Sequence, residues 1–263
     1  MGTEPEEDQS ALGFREPPPC VTLQCMAYMA RIMEIRGLVA FFFNFVKTSA
    51  ELGNLISEEV KAETAKTAPK AFTLLQYNFS DHRPLVNELL LSRAVESFDL
   101  YLTKTLRDIF LARPEMLKSE QQLDAGSIIE AGSYDEVILR LVERRINELS
   151  YKSLAELRKY VRKGTGIDLF ETEAIYECVV LASEVRNLIA HNDTVVNAQF
   201  TARTKGISVP LDRSRTGRLR IDDAWLRRTS YTLDAVVFRF DELVAAKFGV
   251  KTLPLAEWKM WRD

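Results

Sequence analysis

The chain predicts an all-α fold, a helical bundle, and three observations carry that expectation. Apolar residues recur at helical spacing in one segment after another. Cap and stop residues bracket those segments: Ser80 or Asp81 with Pro84, Ser150 or Ser153, Gly164-Thr165-Gly166, Asp222 and Gly249. Gly206, Pro210 and Gly217 break the stretch 201–220 and predict a loop or one short β-hairpin there.

Residues 1–19 carry Glu4, Glu6, Glu7 and Asp8, end in Pro17-Pro18-Pro19, and read as a disordered acidic tail. Residues 20–68 form an N-terminal helical segment: one helix from Val21 to about Lys47, a more polar one from Ser49 to about Ala65, and a linker at 65–69. The main bundle spans 80–249. Its first helix, with Pro84 in the first turn, runs through Val95, Phe98, Tyr101 and Leu106 to about Leu111 and stops before Pro114. Residues 114–132 are polar and read as an irregular connection. Helices follow at Ser133–Leu149, from Ser150 or Ser153 to Gly164, at Glu171–His191, and from Asp222 to Gly249. Residues 250–263 are a C-terminal tail whose Trp258 and Trp261 dock on the bundle or on a partner.

At 263 residues the chain can bury a full core, and its formal net charge of −3 excludes wholesale electrostatic attraction to nucleic acid. Any such binding needs a local patch. Cys20, Cys25 and Cys178 have no zinc spacing and no disulfide framework, so reduced thiols and a cytoplasmic location are expected. The N-terminus is acidic rather than basic, and Glu6 breaks the myristoylation pattern. The apolar run Gly37–Phe43 lies between Arg36 and Lys47, about ten residues against the ~20 of a membrane span; it reads as a buried helix, with no membrane partner. Tyr28, Phe41, Phe42, Phe43 and Phe45 are expected in the core or a dimer contact. No phosphate-cradling glycine loop, zincin motif or nucleophile elbow occurs, and Asp222-Asp223 reads as a helix cap, so neither metal nor cofactor is expected.

Chemistry concentrates in Arg186-Asn187-Leu188-Ile189-Ala190-His191-Asn192. His191 is one of two histidines, and histidine alone titrates near neutrality without a large shift. The other, His82, sits before Pro84 where capping or surface exposure suits it. Arg186 brings a permanent charge and a planar fork suited to phosphate. On a helical wheel Glu184, Asn187 and His191 share a polar stripe, while Arg186 falls roughly 140° from His191. Either the helix deforms after Ala190, or the arginine wraps around, or a facing chain completes the site. Metal-free RNA cleavage favours the third: it needs a base for the ribose 2′-hydroxyl, an acid for the leaving oxygen and a cation on the phosphorane. A symmetric dimer supplies His191 and Arg186 twice, with Asn187 orienting the imidazole or a phosphate oxygen. Arg203, Lys205, Arg213, Arg215, Arg218 and Arg220 follow directly, with Asp212 the only acid in 201–220. They either contact RNA phosphates or form a solvated loop.

Arg186-Asn187-x-x-x-His191 at the end of a helix in an all-helical chain resembles the HEPN superfamily (higher eukaryote and prokaryote nucleotide-binding), whose pattern is Arg, a polar residue, then His after four to six intervening residues. The resemblance covers about residues 80–249, with Glu96 and Tyr101 on the first long helix. It implies a bundle that dimerises through the motif helices. Many members are metal-independent endoribonucleases in toxin–antitoxin, antiphage defence or RNA-processing systems, some held by an antitoxin or regulatory protein. The tyrosine that some toxins carry two places after the histidine is Asp193 here, so modification at that tyrosine is not implied. Two functions follow as expectations: a hydrolase cleaving single-stranded RNA, and a non-catalytic HEPN-like dimerisation module binding RNA, nucleotide or protein. A purely structural helical protein would pair Arg186 with a carboxylate such as Glu184 and show no concave site.

Overall fold

In the computed structural model, which describes residues 14–55, 62–63, 79–117 and 125–257, eight α-helices and one two-stranded sheet lie among the described residues. The all-α class holds. The second N-terminal helix beyond Leu55, the linker at 65–69, the side chain of His82, and Trp258 and Trp261 lie outside the described residues.

Strand β1 (Cys20–Thr22) leads directly into α1 (Leu23–Leu55). The break expected near Thr48 is absent. No glycine or proline stands between Leu38 and Leu52, and once nucleated a helix propagates through a mere change in polarity. Helix α2 (Phe79–Ala112) starts ahead of the expected caps Ser80 and Asp81, so Pro84 sits in its second turn rather than its first. There its missing N–H removes a single bond from a helix of 34 residues.

The connection at 114–132 is more regular than its polarity suggests. It holds a 3-10 turn, Pro114–Leu117, anchored by buried Leu117, and a short helix α3 (Ala125–Ala131) that packs on α4. Helix α4 (Tyr134–Ser150) is capped by Ser133, as its spacing predicts. Of the two cap candidates for α5 (Leu154–Thr165), Ser153 serves, in a full capping box with Glu156, while Ser150 ends α4. Gly166, at φ +70°, closes α5 in the left-handed conformation that glycine adopts without steric cost. Thr172 caps α6 (Glu173–Asn192), Asn197 caps a short α7 (Ala198–Arg203) where loop was expected, and Asp222 caps α8 (Asp223–Phe248).

Helix α2 is the axis of the bundle: α1, α4, α6 and α8 all pack against it. Its Phe98, Tyr101, Ile109 and Phe110 are buried with Val185 and Leu188 of α6 and Leu233 and Phe240 of α8. Each such large side chain contributes about 1.5–3 kcal/mol through burial. Among the described side chains of α1, Cys25, Tyr28 and Ile32 join this core. Farther along, Leu38 is 59% and Phe41 63% exposed. This corrects the expectation of a buried helix over Gly37–Phe43 and of a core role for Phe41; the side chains of Phe42, Phe43 and Phe45 lie outside the described residues. Among the described residues no helix is long and apolar enough to cross a membrane.

The start of the C-terminal segment is tied down. Strand β2 (Thr252–Pro254) pairs antiparallel with β1, Val21 opposite Leu253, and the Leu255 N–H donates to the Pro19 carbonyl at 2.9 Å. Ahead of β1, Arg15 pairs with Glu242 at 2.6 Å and Phe14 meets Tyr231 edge-on, both on α8. Two buried aspartates of α8 hold the N-terminal segment from inside. Asp241, fully buried, accepts from the Thr22 N–H at 2.8 Å, the Thr22 hydroxyl at 2.5 Å and the Tyr101 hydroxyl at 3.2 Å. Thr22 in turn accepts from the Cys25 N–H, so the aspartate fixes the residue that caps α1. Asp234, two turns earlier, accepts from Tyr28 at 2.8 Å and Arg36 at 2.6 Å.

Candidate functional site

Helix α6 places the three motif residues on its last two turns. Its core face, Val179, Ala182, Val185 and Leu188, is buried against α2 and α8, which leaves Ser183, Asn187 and His191 on the opposite side. Arg186 and Asn187 line one groove of about 550 Å³, bounded by α2, the α4–α5 elbow and α6. His191 lies one turn beyond Asn187, exposed, outside that lining, and it makes no hydrogen bond or ion pair among the described residues.

The wheel put Arg186 on the far edge from His191, and within one chain the two do not share the groove: its lining holds Arg186 and Asn187 but not His191. The Arg186 side chain wraps toward α2, where Nη2 donates to Asp99 Oδ2 at 2.7 Å. The helix does not deform after Ala190; it runs regularly to Asn192. Burial pushes the Asp99 carboxyl above the usual range, and the Arg186 charge and hydrogen bond oppose that rise. The guanidinium is not used up by the pair, because its buried Nε has no acceptor. Glu184 takes Arg203 instead, at 3.3 Å. The arrangement therefore has the carboxylate partner expected of a structural arginine and also the concave site expected of a functional one.

Beyond the helix the chain reverses within two residues. Asp193 (φ 48°) and Thr194 (φ 60°) both take the left-handed conformation, unusual for any residue but glycine and strained for the β-branched threonine. Three ties hold the turn. The Thr194 N–H donates back to the Leu188 carbonyl at 3.1 Å, and Asn192 is joined to Val195 through both its side chain and its carbonyl. Arg218 then clamps it, donating through Nη2 to Asp193 at 2.7 Å and through Nε to the Thr194 hydroxyl at 3.3 Å. Glu88 of α2 belongs to the same corner: burial raises its carboxyl, with Arg218 lowering and Asp193 raising it further.

The basic segment is divided between these two places. A narrow hairpin brings Arg213 opposite Leu219, and it is stitched to the turn after α6 by Leu219 N–H to Thr194 O at 3.0 Å and Val196 N–H to Gly217 O at 3.1 Å. The loop is thus ordered by backbone bonds at the very end of the motif helix. Arg203 goes to the groove and Arg218 to the turn. Lys205, Arg213, Arg215 and Arg220 are exposed and have no carboxylate partner among the described residues. Tyr101, named with the first long helix, is buried on Asp241, and Glu96 pairs with Arg93 at the surface; neither reaches the site.

Asp99 and Glu88 are the site residues that sequence reasoning missed. Asp99 follows Phe98 and precedes Leu102, both core residues, so an acid flanking the apolar stripe of a buried helix was the available signal. Among the described residues no three His, Cys, Asp or Glu side chains are grouped to hold a metal ion. No family model, curated protein or solved structure matches the chain.

Proposed function

We propose that the chain is a HEPN-like, metal-independent endoribonuclease for single-stranded RNA, acting at a composite site formed by two copies of α6. The observation that carries this reading is the exposed imidazole of His191, without a partner among the described residues, one helical turn past Asn187, with an ordered basic hairpin fastened beside it. A buried, satisfied histidine would speak for structure; this one is left available.

In the proposed reaction one His191 takes the proton of the ribose 2′-hydroxyl as O2′ attacks phosphorus. The P–O5′ bond breaks, and His191 of the partner subunit gives a proton to O5′. The products are a 2′,3′-cyclic phosphate and a 5′-hydroxyl. Arg186, steadied by Asp99, stabilises the charge that builds on the phosphorane. Asn187 orients phosphate or imidazole. Lys205, Arg213, Arg215 and Arg220 attract the flanking backbone. An antitoxin or other regulatory protein restraining such an enzyme belongs to the same proposal.

One observation favours a second reading. The Arg186–Asp99 pair neutralises the motif cation in the free protein, which suits a non-catalytic module binding RNA, nucleotide or protein.

The deciding experiment incubates folded protein with a long unstructured RNA in EDTA, beside His191→Ala and Arg186→Ala. Wild-type cleavage with cyclic-phosphate ends, lost in both variants, is the expected result. Folded dimeric wild type that leaves every tested RNA intact overturns the nuclease in favour of the binding module. A strictly monomeric protein with full activity overturns the composite site.

A further inference from the structure

We propose that a second groove, between α1, α2 and α8, binds a long-chain carboxylate, with its head on Arg227 and its chain between the helices. The proposal stands apart from the RNA reading. Helices α1 and α8 both pack on α2, and between them lies a groove of about 560 Å³, an ordinary size for a small-molecule site. Its apolar lining comes from all three helices: Ile35, Val39 and Ala40 of α1, Leu90 and Ala94 of α2, and Leu226 of α8. Ala40 is exposed and Val39 half-buried, so the α1 wall still has apolar surface to cover.

The charges along this groove do not balance. At one end Arg36 donates through Nη2 to Ser230 at 2.7 Å and to Asp234 at 2.6 Å. At the other end Asp223 accepts from Arg83 Nε and from Asn87, each at 2.9 Å. Arg227 stands between them on α8, four residues after Asp223 and three before Ser230, about one helical turn from either. It lines the groove, is exposed, and makes no hydrogen bond or ion pair among the described residues. Among those residues three guanidiniums thus meet two carboxylates, and the surplus is one positive charge.

Apolar walls with one surplus cation are complementary to an apolar molecule that carries one negative charge. A guanidinium grips a carboxylate through two parallel N–H···O bonds, as the Arg227 fork can do here. Both bonds of Arg36 use Nη2, which leaves its Nε and Nη1 for a further contact to the same head. A phosphate monoester carries close to two charges at neutral pH and exceeds the surplus. An alcohol of the same length leaves Arg227 without its counterion. A short carboxylate leaves the walls wet, and each methylene buried against them is worth about fourfold in affinity.

The test is calorimetry on the full chain with acetate, octanoate, decanoate, decanol and decyl phosphate, each below its micelle-forming concentration. Wild type is expected to bind decanoate, to bind octanoate less tightly by up to about fourfold for each methylene lost, and to ignore acetate. Decanol should bind about tenfold or more weakly than decanoate, the worth of a hydrogen bond to a charged group. Arg227→Gln should weaken decanoate about tenfold and leave decanol unchanged. Ala40→Trp, which fills the groove from the α1 wall, should abolish binding of both. Both positions are exposed, so both variants should keep the wild-type circular dichroism. Folded wild type that takes up none of the chains, decanol bound as tightly as decanoate, or decanoate bound undiminished by either variant overturns the site. Decyl phosphate bound more tightly than decanoate overturns the choice of a carboxylate. Wild-type self-association that Ala40→Trp abolishes, with no decanoate bound, makes the groove an interface between copies and overturns the ligand as well.

Discussion

The two ends of the polar chemistry in this molecule differ in one respect: whether their groups are already satisfied. Where α1 docks on α8, Asp241 is fully buried and accepts three hydrogen bonds, and Asp234 is held between Tyr28 and Arg36. At the C-terminal end of α6, His191 makes no side-chain hydrogen bond or ion pair among the described residues, and Lys205, Arg213, Arg215 and Arg220 have no carboxylate partner among them, although Arg186 and Arg218 are paired with Asp99 and Asp193. The first arrangement gains stability from these bonds and can do little else. The second leaves donors open, and open donors are what a ligand or transition state can use. Charge alone does not distinguish a site from a scaffold; unsatisfied capacity does.

The sharpest way to break this contrast is to truncate one residue from each end. His191→Ala should leave the unfolding midpoint unchanged, because an exposed side chain without partners contributes little to stability. It should cost about 10²–10⁴-fold in RNA cleavage, the usual worth of a general acid or base. Asp241→Ala should do the reverse. It strands the Thr22 N–H and hydroxyl in the core and leaves the Tyr101 hydroxyl only the Val237 carbonyl, a loss of about 3 kcal/mol read by urea unfolding. A His191 variant that unfolds early, or an Asp241 variant as stable as wild type, removes the contrast.

The same distinction explains what the sequence could reveal. Helices α4, α5, α6 and α8 were legible because local rules set them: Ser133, Ser153, Thr172 and Asp222 each cap with their own side chain. The motif was read from its spacing together with its place at a helix end, and the structure sets Arg186, Asn187 and His191 on the last two turns of α6. What escaped was set by long-range partners. The β1–β2 pairing joins residues more than two hundred positions apart, and the Arg186–Asp99 pair spans 87. The turn of Arg186 toward Asp99 depends on α2 lying alongside, which no helical wheel contains. The unbroken α1 and the exposure of Phe41 escaped for a related reason: periodicity marks an apolar face but not how much of it the neighbouring elements cover.

Acid should sharpen the comparison at the docking end, where burial raises both carboxyls, more than the Thr22 bonds lower Asp241 or Arg36 lowers Asp234. A carboxyl raised in the folded state holds its proton there while the unfolded chain has already lost it. Between the ordinary aspartate value of 3.8 and the raised folded value the native state binds more protons, so stability falls as pH rises through that window. Asp223 has the opposite sign, because its bond to Arg83 lowers it and its contribution disappears as pH falls. Asp241→Asn isolates the first effect. Its deficit against wild type should be largest near pH 4 and shrink toward neutrality, by at most about 1.4 kcal/mol per pH unit crossed. A deficit constant across that range would mean that Asp241 is ionised throughout.

At the open end the smallest expected effect is also the most diagnostic of how the hairpin acts. Arg213 and Arg215 lie on a hairpin stitched to the turn after His191, and they lack carboxylate partners among the described residues. If they meet RNA phosphates, they do so as unpaired charges that release counterions. Each contact to a single strand then contributes about 0.7 to the slope of log affinity against log salt. The double variant Arg213→Ala with Arg215→Ala should therefore lower that slope by about 1.4 and weaken all RNAs alike, without altering base preference. Arg218→Ala is the control from the satisfied side of the same loop. Its charge is already spent on Asp193, so it should loosen the turn and reduce thermal stability while leaving the salt slope nearly unchanged. Equal salt slopes for wild type and the Arg213–Arg215 double variant would make the hairpin a solvated face rather than part of the RNA path, and would confine the site to α6 and its groove.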